Sequence, residues 1–370
     1  MEEWKTYKLA DLTVDGKGHY GIGAPAVEYD ENKYTYLRIT DINDDGSLNY
    51  AGLKSVDDPE AEKYLLKEGD IVFARTGNST GRSYFYEPSD GQFVFAGFLI
   101  KFSIDPSKVN PRFLKYYTHS KPYYEWVQSF DTGATRGNIN AQTFGSMEIT
   151  LPPRNLQDRL VEILGSLDEK IKLNNRINHN LEEQALALYK SWFEDNTEYK
   201  NWPTTTLSAF FNVVTGKKDA NFSTPDGQYP FFTCSQAPLR APSYSFDGKA
   251  ILMAGNGDFN VKRYVGKFEA YQRTYVLMPF EEKYLSFLYL LMRVHLGDIT
   301  GGSRGSVIKF ITKGSIADYS FRFPSQSIDD KLDVLNSFYA QIDKHITEIE
   351  HLSSLRDLLI TKLIEDRFHC

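Results

Sequence analysis

The strongest constraint in this 370-residue sequence is an internal repeat. Five segments of the first half recur in the same order in the second half, an order that chance does not readily produce. The offset between matching residues falls from 198–200 near the start to 168–172 near the end. The sequence therefore predicts two copies of one module, the second being shorter in its variable part. The matching segments are 4–17 with 202–217, 68–78 with 247–257, 132–139 with 300–307, 151–164 with 323–335, and the tails ending at Asp195 and Asp366.

The first part of each copy is predicted to be a mixed, strand-rich body. Runs such as Tyr36–Ile39, Ile71–Phe73 and Phe93–Phe95 are rich in β-branched and aromatic residues and are bounded by turn-forming residues. Residues 111–119 and 282–296 have the pattern of helices packed against such strands. No regular alternation of strands and helices is present, so the predicted fold class is α+β with two strand-rich α/β domains.

The tail of each copy is predicted to be one long amphipathic helix. Apolar residues recur every three or four positions for about 40 residues, which corresponds to roughly 60 Å of helix. Such a helix leaves its stripe in water unless another helix covers it, so we predict that the two tails form an antiparallel coiled coil. The alternative is that each helix packs only on its own body. The residues predicted to pair are Leu160, Leu167, Ile171, Asn174, Leu181, Leu188, Leu335, Ile342, Ile346 and Ile349.

Proline and capping residues predict where the bodies end and the helices begin. Pro152 and Pro324 stop the preceding strands, and Asn155 and Ser327 are predicted to cap the two helices. The predicted organisation is a strand-rich domain at 1–153, a long helix at 154–196, a second domain at 197–324 and a second long helix at 325–370.

Composition favours a folded cytoplasmic protein. The formal net charge is −7, hydrophobic residues make up 41% of the chain, and the two cysteines, Cys234 and Cys370, exclude a disulfide scaffold. We expect no signal peptide, because no basic region precedes an apolar stretch at the N-terminus. We also expect no membrane span, because Arg293 and His295 interrupt the most apolar segment, 284–296.

Catalytic motifs are missing from the sequence. Adenine methyltransferases carry an Asn/Asp-Pro-Pro-aromatic loop, whereas Asn110-Pro111 is followed here by Arg112. Residues 77–83 (GNSTGRS) lack both the spacing and the Lys of a phosphate-binding loop. The histidines show no metal-ligand spacing. We therefore predict a chain that catalyses nothing by itself and holds no metal or cofactor.

Three Gly-rich loops carry local positive charge although the whole chain is acidic. Residues 75–82, 256–273 and 297–313 each have a net charge of +2. Their Asn, Ser, Thr, Gln and Arg side chains are the types that contact bases and phosphates, so the net acidity does not exclude double-stranded DNA as a partner if these loops share one face. For any single loop an ordinary turn is the favoured interpretation. The element 135–137, repeated at 303–305 ahead of the second long helix, instead favours contact with DNA. The predicted DNA-contacting residues are Arg75, Asn78, Arg82, Arg136 and Asn138 in the first copy, and Asn256, Asn260, Lys262, Arg263, Arg273, Arg304 and Lys309 in the second.

The whole chain resembles the specificity subunits of type I restriction–modification systems. The resemblance is carried by residues 68–77 (EGDIVFARTG), the loops around Arg136 and Arg304, Pro152-Pro153 with the helix after it, and the second helix from Ser327. It implies a non-catalytic subunit whose two target recognition domains each read one half of a bipartite, asymmetric DNA target. It also implies two modification (methyltransferase) subunits that bind S-adenosylmethionine and dock on the helices. Restriction subunits using ATP and Mg²⁺ would join in systems that cleave DNA.

Two other functions stay open on the sequence. One is a subunit of a similar system without restriction subunits; the other is a coiled-coil scaffold that recruits proteins without reading DNA and has no need of the Arg136 and Arg304 loops. If the chain reads DNA, we expect the helices to set the distance between the half-sites. Inserting four residues after Asn174 would then lengthen the spacer by about one or two base pairs.

Overall fold

The computed structural model describes residues 4–130, 137–302 and 309–365, and the chain forms two compact units. The first unit comprises Met1–Ile171 and Glu350–Cys370, and the second comprises Lys172–Ile349. Both boundaries fall inside the long helices. Each strand-rich body therefore shares its unit with one part of each helix.

Three sheets and three short helices form the described body of the first unit. A two-stranded sheet pairs β1 with β10, and the four-stranded sheets have the orders β2-β9-β6-β7 and β3-β5-β4-β8. The elements are β1 (Lys5–Lys8), β2 (His19–Tyr20), β3 (Ala26–Val27), β4 (Tyr34–Leu37), β5 (Lys54–Val56), β6 (Asp70–Ala74), β7 (Ser83–Phe85), β8 (Phe93–Phe95), β9 (Leu99–Ser103), α1 (Pro111–Tyr117), α2 (Lys121–Gln128), α3 (Ala141–Gly145) and β10 (Glu148–Leu151), followed by the long helix α4 (Arg154–Tyr189).

The body of the second unit has a two-stranded sheet of β11 and β18 and a six-stranded sheet of order β12-β17-β15-β16-β13-β14. Its elements are β11 (Thr204–Thr206), β12 (Phe211–Thr215), β13 (Tyr229–Phe232), β14 (Leu239–Ala241), β15 (Phe246–Ala254), β16 (Val261–Ala270), β17 (Thr274–Pro279), α5 (Leu285–Val294), α6 (Leu296–Thr300), α7 (Lys313–Ala317) and β18 (Ser320–Arg322), followed by the long helix α8 (Asp329–Ile360).

The two bodies share one strand order apart from β3, which has no counterpart in the second body, and the long strand β16 replaces two strands of the first. In the second unit β16 pairs antiparallel with β15 and parallel with β13. In the first unit β7 pairs antiparallel with β6, and β8 pairs parallel with β4. The single strand β16 thus replaces β7, β8 and the loop between them. For this reason the second body has one six-stranded sheet where the first has two four-stranded sheets.

Equivalent backbone hydrogen bonds define the structural register of the repeat. They match Gly21 with Gly216 and Ile139 with Ile311. The sequence match of Gly16 with Gly216 is therefore wrong, because short turns with similar letters hold different positions in the two sheets. The equivalent bonds are Leu9 N–Met147 O (2.9 Å) with Leu207 N–Tyr319 O (3.1 Å), Gly21 N–Leu99 O (3.2 Å) with Gly216 N–Thr274 O (2.9 Å), Arg75 N–Phe98 O (3.1 Å) with Gly255 N–Arg273 O (2.9 Å), and Ile139 N–Arg75 O (3.0 Å) with Ile311 N–Gly255 O (3.1 Å).

Within the first unit, α4 and the C-terminal part of α8 run antiparallel. Leu160 and Leu164 share a hydrophobic core with Ile360, the last residue of α8, and with Ile364, which lies in the helical turn after it. Further along α4, the Asp168 carboxylate accepts a hydrogen bond at 3.2 Å from Arg356, which precedes Ile360. Residue numbers thus rise on one helix as they fall on the other.

Within the second unit the same two helices again run antiparallel, and polar side chains meet between them. Asn174 Nδ2 donates to Glu348 Oε2 at 2.9 Å, and Asn178 Oδ1 lies 2.8 Å from His345 Nδ1. Asn174 is fully buried, and its Oδ1 has no hydrogen-bond partner among the described residues. A buried polar pair of this kind favours one helix register over its neighbours.

The predicted pairing stripe is buried unevenly. Ile346 is 46% exposed, and the neighbouring His345 holds the inward position opposite Asn178. The prediction for Ile346 is wrong, because a straight helix of 3.6 residues per turn drifts away from a strict heptad. Of the other predicted residues, Leu160, Asn174, Leu335 and Ile342 are buried, and Leu167, Ile171, Leu181, Leu188 and Ile349 are half-buried.

Asp168 joins the body of the first unit to both helices. Its carboxylate accepts from Lys115 Nζ at 2.7 Å and from the Tyr116 hydroxyl at 3.0 Å, in addition to Arg356. Burial by itself raises the pKa of Asp168, but Lys115 and Arg356 hold it below the ordinary value of 3.8. The ionised carboxylate therefore stabilises the folded state.

Replacing Asp168 by Asn is expected to cost about 2 kcal/mol of unfolding free energy at pH 7. A lowered pKa contributes stability that is present above the unfolded value of 3.8 and is lost as the pH falls through the folded value. The difference between parent and variant should therefore shrink between pH 5 and pH 3 in urea unfolding. Glu169→Gln, at the adjacent exposed position, is the control. A difference that does not change with pH would contradict this role.

Candidate nucleic-acid interface

In the first unit, Arg75 is the point at which three chain segments meet at the end of β6. Its backbone N–H donates to Phe98 O at 3.1 Å, and its carbonyl accepts from Ile139 N at 3.0 Å. The loop 77–82 joins the same cluster, because the Thr80 hydroxyl donates to Gly137 O at 3.1 Å. Segments far apart in sequence are thus fixed side by side by backbone groups.

The Arg75 side chain is held over an aromatic ring. Its guanidinium carbon lies 5.1 Å from the centre of the Tyr20 ring, and the Tyr20 hydroxyl accepts from Ala141 N at 3.1 Å. The buried Nε has no hydrogen-bond partner within the described part of the chain. A cation–π contact orients the guanidinium without using its donors, so those donors are available to a ligand.

The loop after β6 contains the next two predicted residues, and they differ in environment. Asn78 is exposed at the tip of the loop. The Arg82 side chain is already bonded within the protein, because its Nε donates to Asp44 at 2.6 Å and its Nη1 donates to Ile42 O at 3.0 Å. Arg82 therefore stabilises the neighbouring loop, whereas Asn78 is free to contact a ligand.

The remaining predicted residues of the first copy lie just before α3. Asn138 is exposed beside the buried Ile139. Arg136 lies outside the described residues. Asn140 caps α3, since its Oδ1 accepts from Thr143 N at 2.8 Å, and this cap fixes the chain direction after Asn138.

The second unit builds the equivalent cluster around Gly255. Gly255 N donates to Arg273 O at 2.9 Å, Ile311 N donates to Gly255 O at 3.1 Å, and Gly257 N donates to Lys309 O at 3.0 Å. A Cβ at Gly255 would lie 2.5 Å from Arg273 O, so a glycine is required for this close approach. No side chain stands where Arg75 stands in the first unit.

A polar network supports this cluster from within. The Cys234 thiol donates to Asn256 Oδ1 at 2.9 Å, and Asn260 Nδ2 donates to Cys234 O at 2.9 Å. Asn260 Oδ1 accepts from Lys262 Nζ, and burial lowers the pKa of that ammonium from 10.5. Asn260 is buried with both amide atoms bonded. These contacts give Asn260 a structural role, and Asn256 keeps only part of its surface for a ligand.

Arg263 belongs to the packing between β16 and α8. Its Nη1 donates to both carboxylate oxygens of Asp343, at 2.7 and 2.9 Å, and the guanidinium carbon lies 5.1 Å from the centre of the Tyr339 ring. The side chain is only 10% exposed. The predicted DNA contact for Arg263 is therefore replaced by a contact with the long helix, because side chains alternate between the two faces of a strand.

Arg273 and Lys309 are the exposed basic residues of the second cluster. Both are attached to it by their carbonyl groups, through the bonds from Gly255 and Gly257. Arg304 lies outside the described residues. With Lys262, the described cluster contains three basic residues against the single acidic residue Asp258.

Sequence reasoning missed the aromatic residues of these clusters. Tyr20 supports Arg75, Phe98 is 56% exposed beside it, and Phe310 is exposed next to Lys309 in the second unit. Phe98 interrupts the run of buried residues 93–96 and 99–100. The exposure of Phe98 has no counterpart in the sequence, where residues 93–100 form one apolar run apart from Gly97, so only the fold shows that Phe98 is exposed beside Arg75.

Two features are absent from the residues that the structure describes. None of their helices is both long and apolar enough to cross a membrane. No group of three or more His, Cys, Asp or Glu side chains among them is arranged to hold a metal ion.

A solved structure shares the fold of this chain over nearly its whole length. The S subunit of the type I restriction–modification system from M. genitalium superimposes with a TM-score of 0.59, covering 98% of this chain and 96% of that one. The two sequences are 15% identical, so this likeness concerns the fold alone. The fold is thus that of a type I specificity subunit, in agreement with the predicted α+β class.

Sequence comparison then gives the family. The family described as type I restriction modification DNA specificity domain matches residues 1–183 and again 199–352, and this chain belongs to it. The double match confirms the predicted repeat and the predicted resemblance.

Curated relatives agree with this assignment. The EcoDI specificity subunit of Escherichia coli is 44% identical over 159 residues, which are 42% of this chain and 35% of that subunit. The HindI specificity subunit of Haemophilus influenzae is 27% identical over 203 residues, 53% of this chain and 42% of the relative. The MjaIX specificity subunit of Methanocaldococcus jannaschii is 23% identical over 296 residues, 68% of each chain. The matched segments thus span less than half of the first two relatives.

Proposed function

We propose that this chain is the DNA-recognition subunit of a type I restriction–modification complex. Each body reads one half of a bipartite, asymmetric target. One observation carries this proposal: the same hydrogen-bonded scaffold presents different exposed side chains in the two units. Arg75 and Phe98 on the first scaffold correspond to Gly255 and Arg273 on the second. Two bodies with the same fold but different exposed side chains are suited to a DNA target whose two halves differ in sequence.

The partners follow from the family. We propose that two modification subunits, which bind S-adenosylmethionine, dock on the helices α4 and α8 and methylate adenine. Restriction subunits that use ATP and Mg²⁺ join them in a cleaving complex. The chain itself supplies recognition and no catalytic group, and we propose that the complex acts in the cytoplasm.

Methylome sequencing of host cells tests this function. Cells with the chain and its modification subunits are expected to carry methylated adenines in one bipartite motif, which disappears when this chain alone is deleted. A methylation pattern that is unchanged by the deletion would refute the recognition role. Assembly with partners but no preference for any DNA sequence would favour a scaffold.

Replacing Arg75 by Ala is expected to weaken binding of the assembled complex to its target by about 1–3 kcal/mol. The loss follows because the guanidinium stacked on Tyr20 supplies donors to which no described residue of the protein is bonded. Fluorescence anisotropy at one salt concentration measures it. Arg112→Ala is the control, because Arg112, on α1, is already paired with Glu87 at 2.8 Å. Equal effects of the two variants would show that Arg75 is not part of the interface.

A further inference from the structure

One turn has the same backbone in both units but a different side chain at its tip. The turn follows β8 in the first unit and β16 in the second, and its third residue is Phe98 or Arg273. In each unit two bonds fix it: Leu99 N–Ala96 O (2.8 Å) and Arg75 N–Phe98 O (3.1 Å) in the first, and Thr274 N–Tyr271 O (2.8 Å) and Gly255 N–Arg273 O (2.9 Å) in the second. Phe98 and Arg273 thus occupy one structural position.

Phe98 is exposed although its backbone is held rigidly. More than half of its surface faces solvent, while the turn is tied to the end of β6 through Arg75. The Arg75 guanidinium, stacked on Tyr20, lies in the same cluster. The first unit therefore presents an apolar ring at a fixed place within a basic surface.

At the same position of the turn, Arg273 presents a cationic side chain where Phe98 presents an apolar ring. Its backbone carbonyl is bonded to Gly255, and its exposed guanidinium has no hydrogen bond or ion pair with any described residue. The planar group with five donors is thus free to bind a ligand that accepts two hydrogen bonds in one plane.

Resting on the proposed function, we propose that this turn position selects one base pair in each half-site. Phe98 contacts the C5-methyl group of a thymine, and Arg273 donates to N7 and O6 of a guanine. In the major groove the thymine methyl is the apolar group on the base edges, and guanine offers the paired acceptors that fit a guanidinium. The same turn thereby reads different bases in the two halves.

Deoxyuridine tests the thymine contact, because it lacks only the methyl group of thymidine. The probe is a duplex that contains the motif found by methylome mapping. In the half-site read by the first unit, each thymidine is replaced in turn by deoxyuridine. The parent chain, assembled with its modification subunits, should bind about four-fold more weakly at one position, as expected for one buried methyl group. Phe98→Ala should bind both duplexes alike there, whereas Phe98→Leu should keep part of the difference. No methyl-dependent position, or unchanged discrimination in Phe98→Ala, would overturn the proposal.

The guanine contact is tested in the same way with 7-deazaguanine, which lacks the N7 acceptor. The parent complex should lose about ten-fold in affinity at one guanine of the second half-site, and Arg273→Ala should be insensitive to that replacement. If Arg273→Ala instead weakens all sequences alike, its contact is with phosphate and the proposal is wrong. Binding of target and scrambled duplexes by the parent is measured beside these. Equal affinity of the parent for target and scrambled duplexes refutes the proposed function. If the parent prefers the target but the Phe98 and Arg273 variants respond to the modified bases as the parent does, only this inference is refuted.

Discussion

Replacing Leu164 by Asp is expected to destabilise the first unit by about 4–5 kcal/mol, because it buries an unpaired charge and removes a core side chain. Leu164 is fully buried in the hydrophobic core that also contains Leu160 of α4 and Ile360 and Ile364 at the end of α8. The described residues of that core are apolar, and the cations Lys115 and Arg356 already bind Asp168, one turn further along α4. This effect is large relative to the total stability of a typical domain.

The preceding residue offers a matched control. Ile163 is 47% exposed on the same turn of α4, so Ile163→Asp should cost less than about 1 kcal/mol. Hydrogen exchange resolves the two units: amides of β9 should lose protection in Leu164→Asp, while those of β15 in the second unit serve as an internal reference. If both variants unfold like the parent, the core position of Leu164 is wrong.

The second large effect concerns the distance between the half-sites of the target. Seven residues inserted after Ile171 and seven after Ile349 are expected to lengthen the spacer by about three base pairs, at 1.5 Å per helical residue and 3.4 Å per base pair. Both insertions fall where the chain passes from one unit to the other, so the contacts within each unit are kept. A seven-residue insertion also preserves the heptad pattern of each helix. These sites are preferable to one after Asn174, which is buried and bonded to Glu348.

Mapping methylated adenines in cells that express the double insertion measures the spacer. The expected motif has both original half-sites and a longer gap. Insertion into α4 alone is the control. Because α4 and α8 are bonded to each other within each unit, such an insertion shifts one helix past the other, so we now expect it to abolish methylation and not to lengthen the gap as the sequence alone suggested. An unchanged gap with altered half-site letters would show that the bodies, and not the helices, set the spacing.

Local patterns were sufficient to predict the two long helices, two of the shorter helices and three of the strands. The runs of β-branched and aromatic residues became β4, β6 and β8, and the segments 111–119 and 282–296 contain α1 and α5. The helices α4 and α8 begin at Arg154 and Asp329, close to the predicted starts at 154 and 325. These features depend on periodicity and turn residues within a short stretch, which a sequence displays directly.

The candidate site was predicted only in part. The sequence identified the loops that contain Arg75, Asn78 and Arg273, because clustered basic and polar residues are a compositional signal. It gave no reason to separate these from Arg82 and Asn260, whose polar groups are bonded within the protein. Residue type shows which bonds a side chain can make, but the neighbours brought together by the fold decide whether they are already made.

The sequence by itself determined that this chain contains two copies of one module, each ending in a long amphipathic helix, because repeats and apolar stripes are properties of the letters alone. Only the tertiary structure decided which positions of the copies correspond, that Arg263 turns to Asp343, and that His345 rather than Ile346 faces Asn178. It also decided that Phe98 and Arg273 share one place. The physical reason is that these relations arise between residues distant in sequence, where strand register and helix drift set the geometry.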